Sequence, residues 1–223
     1  MPTTLFEQLK AGCSADWQAY TDHAFVRELA AGTLPEASFR HFLTQDYLFL
    51  VHFSRAWALA VYKAGSLADM RAASEVLDGL LNHEIELHVD YCARWGLDEE
   101  TLAATPEARA NMAYTRYVLD TGLAGDALDL LTALAPCVVG YAEIGRTRWQ
   151  HPDTKLTDNP YRPWLETYAG EEFQGLAETV VERMDRLYAE RGGDSRLPAL
   201  QRIFTDATRL EQGFWAMGYE RLG

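Results

Sequence analysis

The stretch FRHFLTQDYLFLVHFSRAW, residues 39–57, carries an aromatic or acidic side chain at every third or fourth position. These side chains are Phe39, Phe42, Asp46, Phe49, Phe53 and Trp57. The spacing predicts a helix with all six on one face. A carboxylate on such a face is costly to bury unless it is paired or neutralised. Asp46 therefore indicates a site rather than simple core packing.

Two further stretches place a reactive side chain where helical spacing calls for a core residue. The first contains Leu130, Leu134, Cys137, Tyr141 and Ile144, and the second contains Phe204, Thr208, Glu211 and Trp215. Two carboxylates and a thiol directed inward among aromatic rings are typical of a lined pocket. Each has a structural alternative. Asp46 could pair with an arginine or cap a neighbouring helix, Cys137 could be a small core residue, and Glu211 could be a satisfied buried acid.

Composition limits the class of protein. The chain has 223 residues, 48% of them hydrophobic, and a net charge of −13, which argues against a nucleic-acid groove. No stretch approaches the length of a membrane span, and the first ten residues lack the pattern of a signal peptide. Three cysteines without CxxC spacing favour free thiols in a reducing compartment. We expect a cytoplasmic protein that binds neither nucleic acid nor membrane.

Helical periodicity dominates the chain, and strand signals are weak. It predicts an all-α, single-domain helical bundle over residues 1–223. The helices are expected at about 3–20, 23–31, 35–64, 67–95, 106–122, 126–150, 160–190, with an interruption near Gly170, and 195–219. The longest irregular stretch is 151–163. Pro136 lies inside the sixth predicted helix, where it predicts a kink directly before Cys137.

The candidate residues fit covalent chemistry on a flat ligand. A thiol nucleophile needs a group that takes its proton or lowers its pKa, and a general acid needs the raised pKa that an apolar surround supplies. Cys137 and Tyr141 are spaced i, i+4, so they lie one turn apart on the same face. Tyr114 and Tyr168 offer further phenol groups and aromatic walls, which favour a planar heterocycle.

A metal site is the main rival interpretation of the polar residues. Glu84 and His88, also spaced i, i+4, could share an ion, as inward-facing Glu and His do in helical di-iron proteins. The sequence His83-Glu84 lacks the second histidine of HExxH. No Glu-x-x-His repeat appears on two helices, so we expect no metal and no cofactor.

Four segments together resemble the TenA/thiaminase II family, in its cysteine-bearing form. They are residues 39–50 (FRHFLTQDYLFL), 135–145 (APCVVGYAEIG), 164–173 (WLETYAGEEF) and 210–215 (LEQGFW). The resemblance covers nearly the whole chain in the expected order. It implies an all-α fold like that of haem oxygenase but without haem, a homotetramer, and hydrolysis of an aminopyrimidine, or of thiamin, to the hydroxymethylpyrimidine in thiamin salvage.

The resemblance also assigns roles by position. Cys137 would be the nucleophile and Glu211 the proton donor. The side chains that would bind the substrate are Asp46, Tyr141, Phe49, Tyr114 and Tyr168. The chain departs from many members at Phe49, where they carry a tyrosine whose hydroxyl is thought to assist the thiol. Two rival functions stay open: a cofactor-free or di-iron oxidase of the same fold, and a non-catalytic pyrimidine-binding protein.

Overall fold

The computed structural model describes residues 3–223, which fold into twelve α-helices and one π-helical turn, with no strand among them. In chain order the helices are α1 (Leu5–Gly12), α2 (Ser14–Thr21), α3 (Ala24–Ala31), α4 (Glu36–Lys63), α5 (Leu67–Gly79), the π-helical turn (Leu80–Glu84), α6 (Ile85–Ala93), α7 (Glu99–Ala103), α8 (Arg109–Ala124), α9 (Ala127–Gln150), α10 (Arg162–Ala169), α11 (Glu171–Arg191) and α12 (Leu197–Glu220). The prediction of an all-α fold is confirmed.

The first predicted helix, 3–20, is two helices in the structure. Thr4 starts α1 with a capping box that includes Glu7. The chain then leaves helical geometry at Cys13, with φ −135° and ψ 38°. The break lets Phe6 of α1 and Trp17 of α2 pack edge to face, with ring centroids 5.4 Å apart. Tertiary packing thus overrides a continuous local helical pattern.

The predicted helix 67–95 contains a change of helical pitch. Its middle turn, Leu80–Glu84, is a π-helix between α5 and α6. A π-helical turn holds one extra residue, so it rotates the following side chains relative to those of the preceding helix. Such turns are frequent at functional sites. The short helix α7 lies just beyond this segment and was not predicted.

The two long central helices, α4 and α9, pack together with α12 around one aromatic core. Phe25 and Phe42 lie 5.0 and 5.1 Å, ring to ring, from Trp215 of α12. Close approach also fixes α10 against α9, because a Cβ atom on Gly145 would lie 2.4 Å from the backbone carbon of Tyr168. A glycine at position 145 is therefore needed to bring Tyr168 this close to α9.

Helix α9 is long and apolar enough to cross a membrane by length and composition alone, but 78% of its apolar window is buried inside the protein. That burial is the behaviour of a central core helix. The helix continues through Pro136, whose carbonyl oxygen accepts a hydrogen bond of 3.1 Å from the Tyr20 hydroxyl. The predicted kink at this proline stays a prediction.

A buried ion pair joins α5 to α11. Asp69, in the first turn of α5, accepts hydrogen bonds from Ser66 and Arg186, and Arg183 lies 3.8 Å away. The Arg186 guanidinium is the main cause that lowers the pKa of Asp69 to about 2. An aspartate with a lowered pKa stabilises the fold above its unfolded pKa, and this contribution is lost as pH falls towards 2.

We expect Asp69→Asn to lower the free energy of unfolding by about 1–2 kcal/mol at pH 7, because the arginines lose a charged partner that is itself buried. Urea unfolding followed by circular dichroism measures the change. The deficit should shrink as pH falls from about 5 towards 2. Glu75→Gln, on the exposed side of the same helix, is the matched control. A deficit of the same size at pH 3 and pH 7 would contradict the ion-pair explanation.

Candidate active site

Asp46 lies at the middle of α4 and is paired with a histidine from α6. Its Oδ2 atom is 2.7 Å from His88 Nε2, and the two residues are only 3% and 5% exposed. Burial opposes a charge on His88, but the hydrogen bond and charge of Asp46, together with Glu84, raise the pKa of His88 overall. The partner of Asp46 is thus a histidine 42 positions away, where the structural alternative drawn from the sequence was an arginine.

The π-helical turn delivers Glu84 to the same region. The Glu84 carbonyl oxygen is 2.8 Å from His88 Nδ1, and its side-chain Oε1 accepts a hydrogen bond of 2.9 Å from the Tyr168 hydroxyl. Burial raises the pKa of Glu84, while the nearby His88 acts in the opposite direction. The i, i+4 spacing of Glu84 and His88 thus brings both residues to the candidate site, for which the sequence analysis considered a metal as a rival and expected none.

Glu211, on α12, is the most enclosed of the acids. It is 1% exposed, and its Oε1 accepts a hydrogen bond of 2.9 Å from the Tyr114 hydroxyl of α8. Burial is the main cause that raises the pKa of Glu211 to about 8, and the charge of Asp46 adds to it. The Glu211 side chain is therefore mostly a neutral carboxylic acid at pH 7, as a proton donor must be.

Cys137 lies among these acids on α9. Burial raises the pKa of its thiol well above the ordinary value, and the charges of Glu211, Glu84 and Asp46 add to the effect in that order. Cys137 and Glu84 nevertheless keep intermediate accessible surface, although protein surrounds both groups. These deeply placed groups are therefore not fully covered by protein, and we refer to the space beside the Cys137 thiol as the cavity.

Several polar atoms share this cavity. Within residues 3–223, one oxygen each of Asp46 and Glu84, and the hydroxyl of Tyr141, make no hydrogen bond to protein, while Glu211 lies within hydrogen-bonding reach of the Cys137 thiol. The indole N–H of Trp215 is fully covered by protein and has no hydrogen-bond partner, whereas none of these atoms is fully covered. They are accordingly open to a ligand or water. The structure brings α4, the π-helical turn, α9 and α12 together around one polar focus.

Aromatic rings line two sides of the polar focus. On one side, Tyr141 stacks on Trp215 at 5.2 Å and meets Tyr168 edge-on at 5.0 Å, measured between ring centroids. On the other side, Phe49 lies 5.1 Å from Tyr114 and 5.3 Å from Phe214. The sequence-predicted residues thus occupy one region of the molecule. Flat rings on two sides suit a planar ligand.

The donor set around His88 differs from the metal site considered as a rival. Both imidazole nitrogens are engaged, one with Asp46 and one with the Glu84 carbonyl. The Glu84 carboxylate turns to Tyr168 instead. Over residues 3–223, no group of three or more His, Cys, Asp or Glu side chains is arranged to hold an ion. The sequence missed His88 as the partner of Asp46 because that contact is long-range.

Comparison with solved structures identifies the fold. The chain superposes with a TM-score of 0.92 on a protein from Silicibacter sp. TM1040 described as a TenA family transcription regulator, at 44% identity over 98% of both chains. A domain from Shewanella denitrificans with a haem oxygenase-like fold matches with a TM-score of 0.71 at 16% identity, over 97% of this chain and 92% of that one. The expected haem oxygenase-like architecture is confirmed.

Sequence comparison gives the family. An aminopyrimidine aminohydrolase of Halalkalibacterium halodurans is 37% identical over 205 residues, which cover 91% of this chain and 90% of that protein. The model of the TENA/THI-4/PQQC family matches residues 13–221, nearly the full length. The chain therefore belongs to the TENA/THI-4/PQQC family.

Proposed function

We propose that the protein is an aminopyrimidine aminohydrolase that converts 4-amino-5-aminomethyl-2-methylpyrimidine, and thiamin to some extent, to the hydroxymethylpyrimidine. The observation that carries this proposal is the buried Glu211 carboxyl, held by the Tyr114 hydroxyl at 2.9 Å and within hydrogen-bonding reach of the Cys137 thiol. The activity named for the Halalkalibacterium halodurans relative supports the same substrate class.

In the proposed reaction, Cys137 is the nucleophile and Glu211 the proton donor. Protonation of a ring nitrogen makes the pyrimidine electrophilic, and the thiolate adds to the ring. Addition weakens the bond from the methylene carbon to the amine, which leaves as ammonia. Water then supplies the hydroxyl group, and the thiolate is released. A positioned acid contributes about 10²–10⁴-fold to such a reaction.

The remaining site residues bind and orient the pyrimidine. The free oxygen of Asp46 would accept a hydrogen bond from the ring amino group, with His88 holding the other oxygen. Tyr141, Tyr168, Tyr114 and Phe49 supply the walls. No cofactor is needed for this chemistry. The same residues would also suit a pyrimidine-binding protein that does not turn over its ligand. Measurements of turnover distinguish such a protein from an aminohydrolase.

We also propose that the protein acts as a homotetramer in the cytoplasm. Large apolar side chains remain exposed on α5, the π-helical turn and α6, namely Leu67, Met70, Leu81 and Leu87. Apolar surface of this kind is typical of contacts between subunits.

We expect Cys137→Ser to abolish ammonia release from the aminopyrimidine while the fold and ligand binding persist, because an alcohol is far less ionised and less nucleophilic than a thiol. Mass spectrometry of the hydroxymethylpyrimidine measures turnover, and calorimetry measures binding. Cys13→Ser, at a buried cysteine whose thiol donates to the Leu9 carbonyl of α1, is the control. Near-normal turnover by Cys137→Ser would remove the covalent mechanism.

The pH profile tests Glu211 as the proton donor. With a pKa of about 8, the acid is protonated below that pH and loses its proton above it. We therefore expect kcat/KM for the aminopyrimidine to fall as pH rises through about 8. Glu211→Gln should lower kcat by about 10²–10⁴-fold and remove that descending limb. A limb that persists unchanged in Glu211→Gln would assign it to another group.

Phe49→Tyr tests the family departure. The ring at position 49 touches Tyr114, which itself binds Glu211, so an added hydroxyl lies within the same wall of the cavity. A hydroxyl that donates to the Cys137 sulfur should lower the thiol pKa and raise turnover. The rate of alkylation of Cys137 against pH reports the thiol midpoint. If the midpoint and the turnover rates for both substrates stay unchanged, Phe49 is only an aromatic wall.

A further inference from the structure

Glu84 is a third buried carboxylate in the site, and the mechanism above gives it no role. Asp46 is paired with His88 and Glu211 with Tyr114, while Glu84 has the Tyr168 hydroxyl. The neutral phenol of Tyr168 fixes one Glu84 oxygen but does not balance its charge. The second oxygen makes no hydrogen bond within residues 3–223 and remains accessible in the cavity.

Glu84 is the acid of the site that has no basic side chain as a direct partner within residues 3–223. Asp46 is paired with His88, Glu211 is mostly a neutral acid at pH 7, and burial raises the pKa of the Cys137 thiol. Tyr168, which binds Glu84, meets the Tyr141 ring edge-on with centroids 5.0 Å apart, and Tyr141 lies one turn from Cys137 on α9, so these contacts link Glu84 to the region of the thiol. A buried carboxylate is stable when a cation pairs with it. A Glu84 carboxylate without a basic partner therefore favours a positively charged ligand over a neutral one.

We propose that Glu84 is the specificity-determining residue that binds the protonated amine of the aminomethylpyrimidine. The Tyr168 hydroxyl holds one oxygen of the Glu84 carboxylate in place. The other Glu84 oxygen accepts a hydrogen bond from the ammonium group of the substrate. This inference rests on the proposed function, because it assigns the leaving group of that same substrate to a subsite beside Cys137.

The assignment has a chemical consequence for the reaction. An amine leaves carbon as neutral ammonia only when it is protonated before the bond breaks. The carbon–nitrogen bond electrons depart with the nitrogen, and water supplies the oxygen of the product. The overall reaction converts the ammonium substrate and water into the alcohol and ammonium ion. Glu84 favours the protonated amine and is itself unchanged.

Thiamin provides the comparison substrate. Its leaving group is a quaternary thiazolium, which is cationic but has no N–H to donate at the bond that breaks, and it departs without added protonation. Glu84 should therefore matter more for the amine than for thiamin. The neutral hydroxymethyl product should depend on Glu84 least of all, which favours its release after turnover.

Binding measurements in the Cys137→Ser background test the proposal without turnover. We expect Glu84→Gln to raise the Kd of the aminomethylpyrimidine about tenfold or more, since it removes a charge-assisted hydrogen bond. The Kd of the hydroxymethyl product should change less than about threefold, because its neutral hydroxyl makes no charge-assisted hydrogen bond with Glu84. Glu86→Gln, an exposed glutamate on α6, is the matched control and should change neither value.

A second variant tests the same subsite in case Glu84→Gln does not fold. Tyr168→Phe keeps the aromatic ring but frees Glu84, so the amine should lose affinity relative to the alcohol, by a smaller factor than in Glu84→Gln. With Cys137 restored, the ratio of kcat/KM for the amine to that for thiamin should fall in both variants.

Equal weakening of amine and alcohol, or no change in either, would overturn the role of Glu84. This result is distinct from failure of the proposed function. If wild-type protein releases no ammonia but Glu84→Gln still selectively loses the amine, the subsite stands and the hydrolase proposal fails. Binding of neither ligand by the Cys137→Ser protein overturns both.

Discussion

The burial of several acids inside an aromatic core is the constraint on which the rest of the structure depends. Asp46, Glu84 and Glu211 lie where helical packing usually places leucine or phenylalanine. Each has one partner from a different element: His88, Tyr168 and Tyr114. Asp46 and Glu84 each keep one oxygen without a hydrogen bond to protein within residues 3–223, and Glu211 lies beside the Cys137 thiol. Each of the helices α6, α8 and α10 therefore contributes the hydrogen-bond partner of one acid in addition to its apolar contacts.

The fold meets this constraint with local exceptions to regular helix geometry. The π-helical turn carries Glu84 and presents its carbonyl to His88, so one residue serves two groups in the site. Gly145 allows the backbone at Tyr168 to approach α9, and this brings the Tyr168 hydroxyl to Glu84. Both exceptions are explained by the polar contacts that they make possible, which is common at functional sites.

The sequence predicted the helices that carry the site better than the contacts within it. Periodicity placed Asp46, Cys137 and Glu211 on inward faces, because a helix face depends only on spacing along the chain. The Asp46–His88 pair joins positions 42 apart and depends on how α4 packs against α6. The break at Cys13 and the π-helical turn directly follow Gly12 and Gly79, which weaken a helix locally, but the geometry at each place depends on tertiary contacts. The resemblance to a family supplied roles that spacing could not.

The charges around the cavity link the reactivity of the Cys137 thiol to the presence of bound substrate. Without a ligand, burial and three nearby acids keep the Cys137 thiol protonated. A protonated thiol is a poor nucleophile and resists oxidation. In the proposed reaction, a cationic substrate brings the positive charge that the cavity lacks and so favours ionisation of the thiol. A neutral product removes that charge again. The nucleophile would then be active only while substrate is bound, which protects a buried cysteine between turnovers.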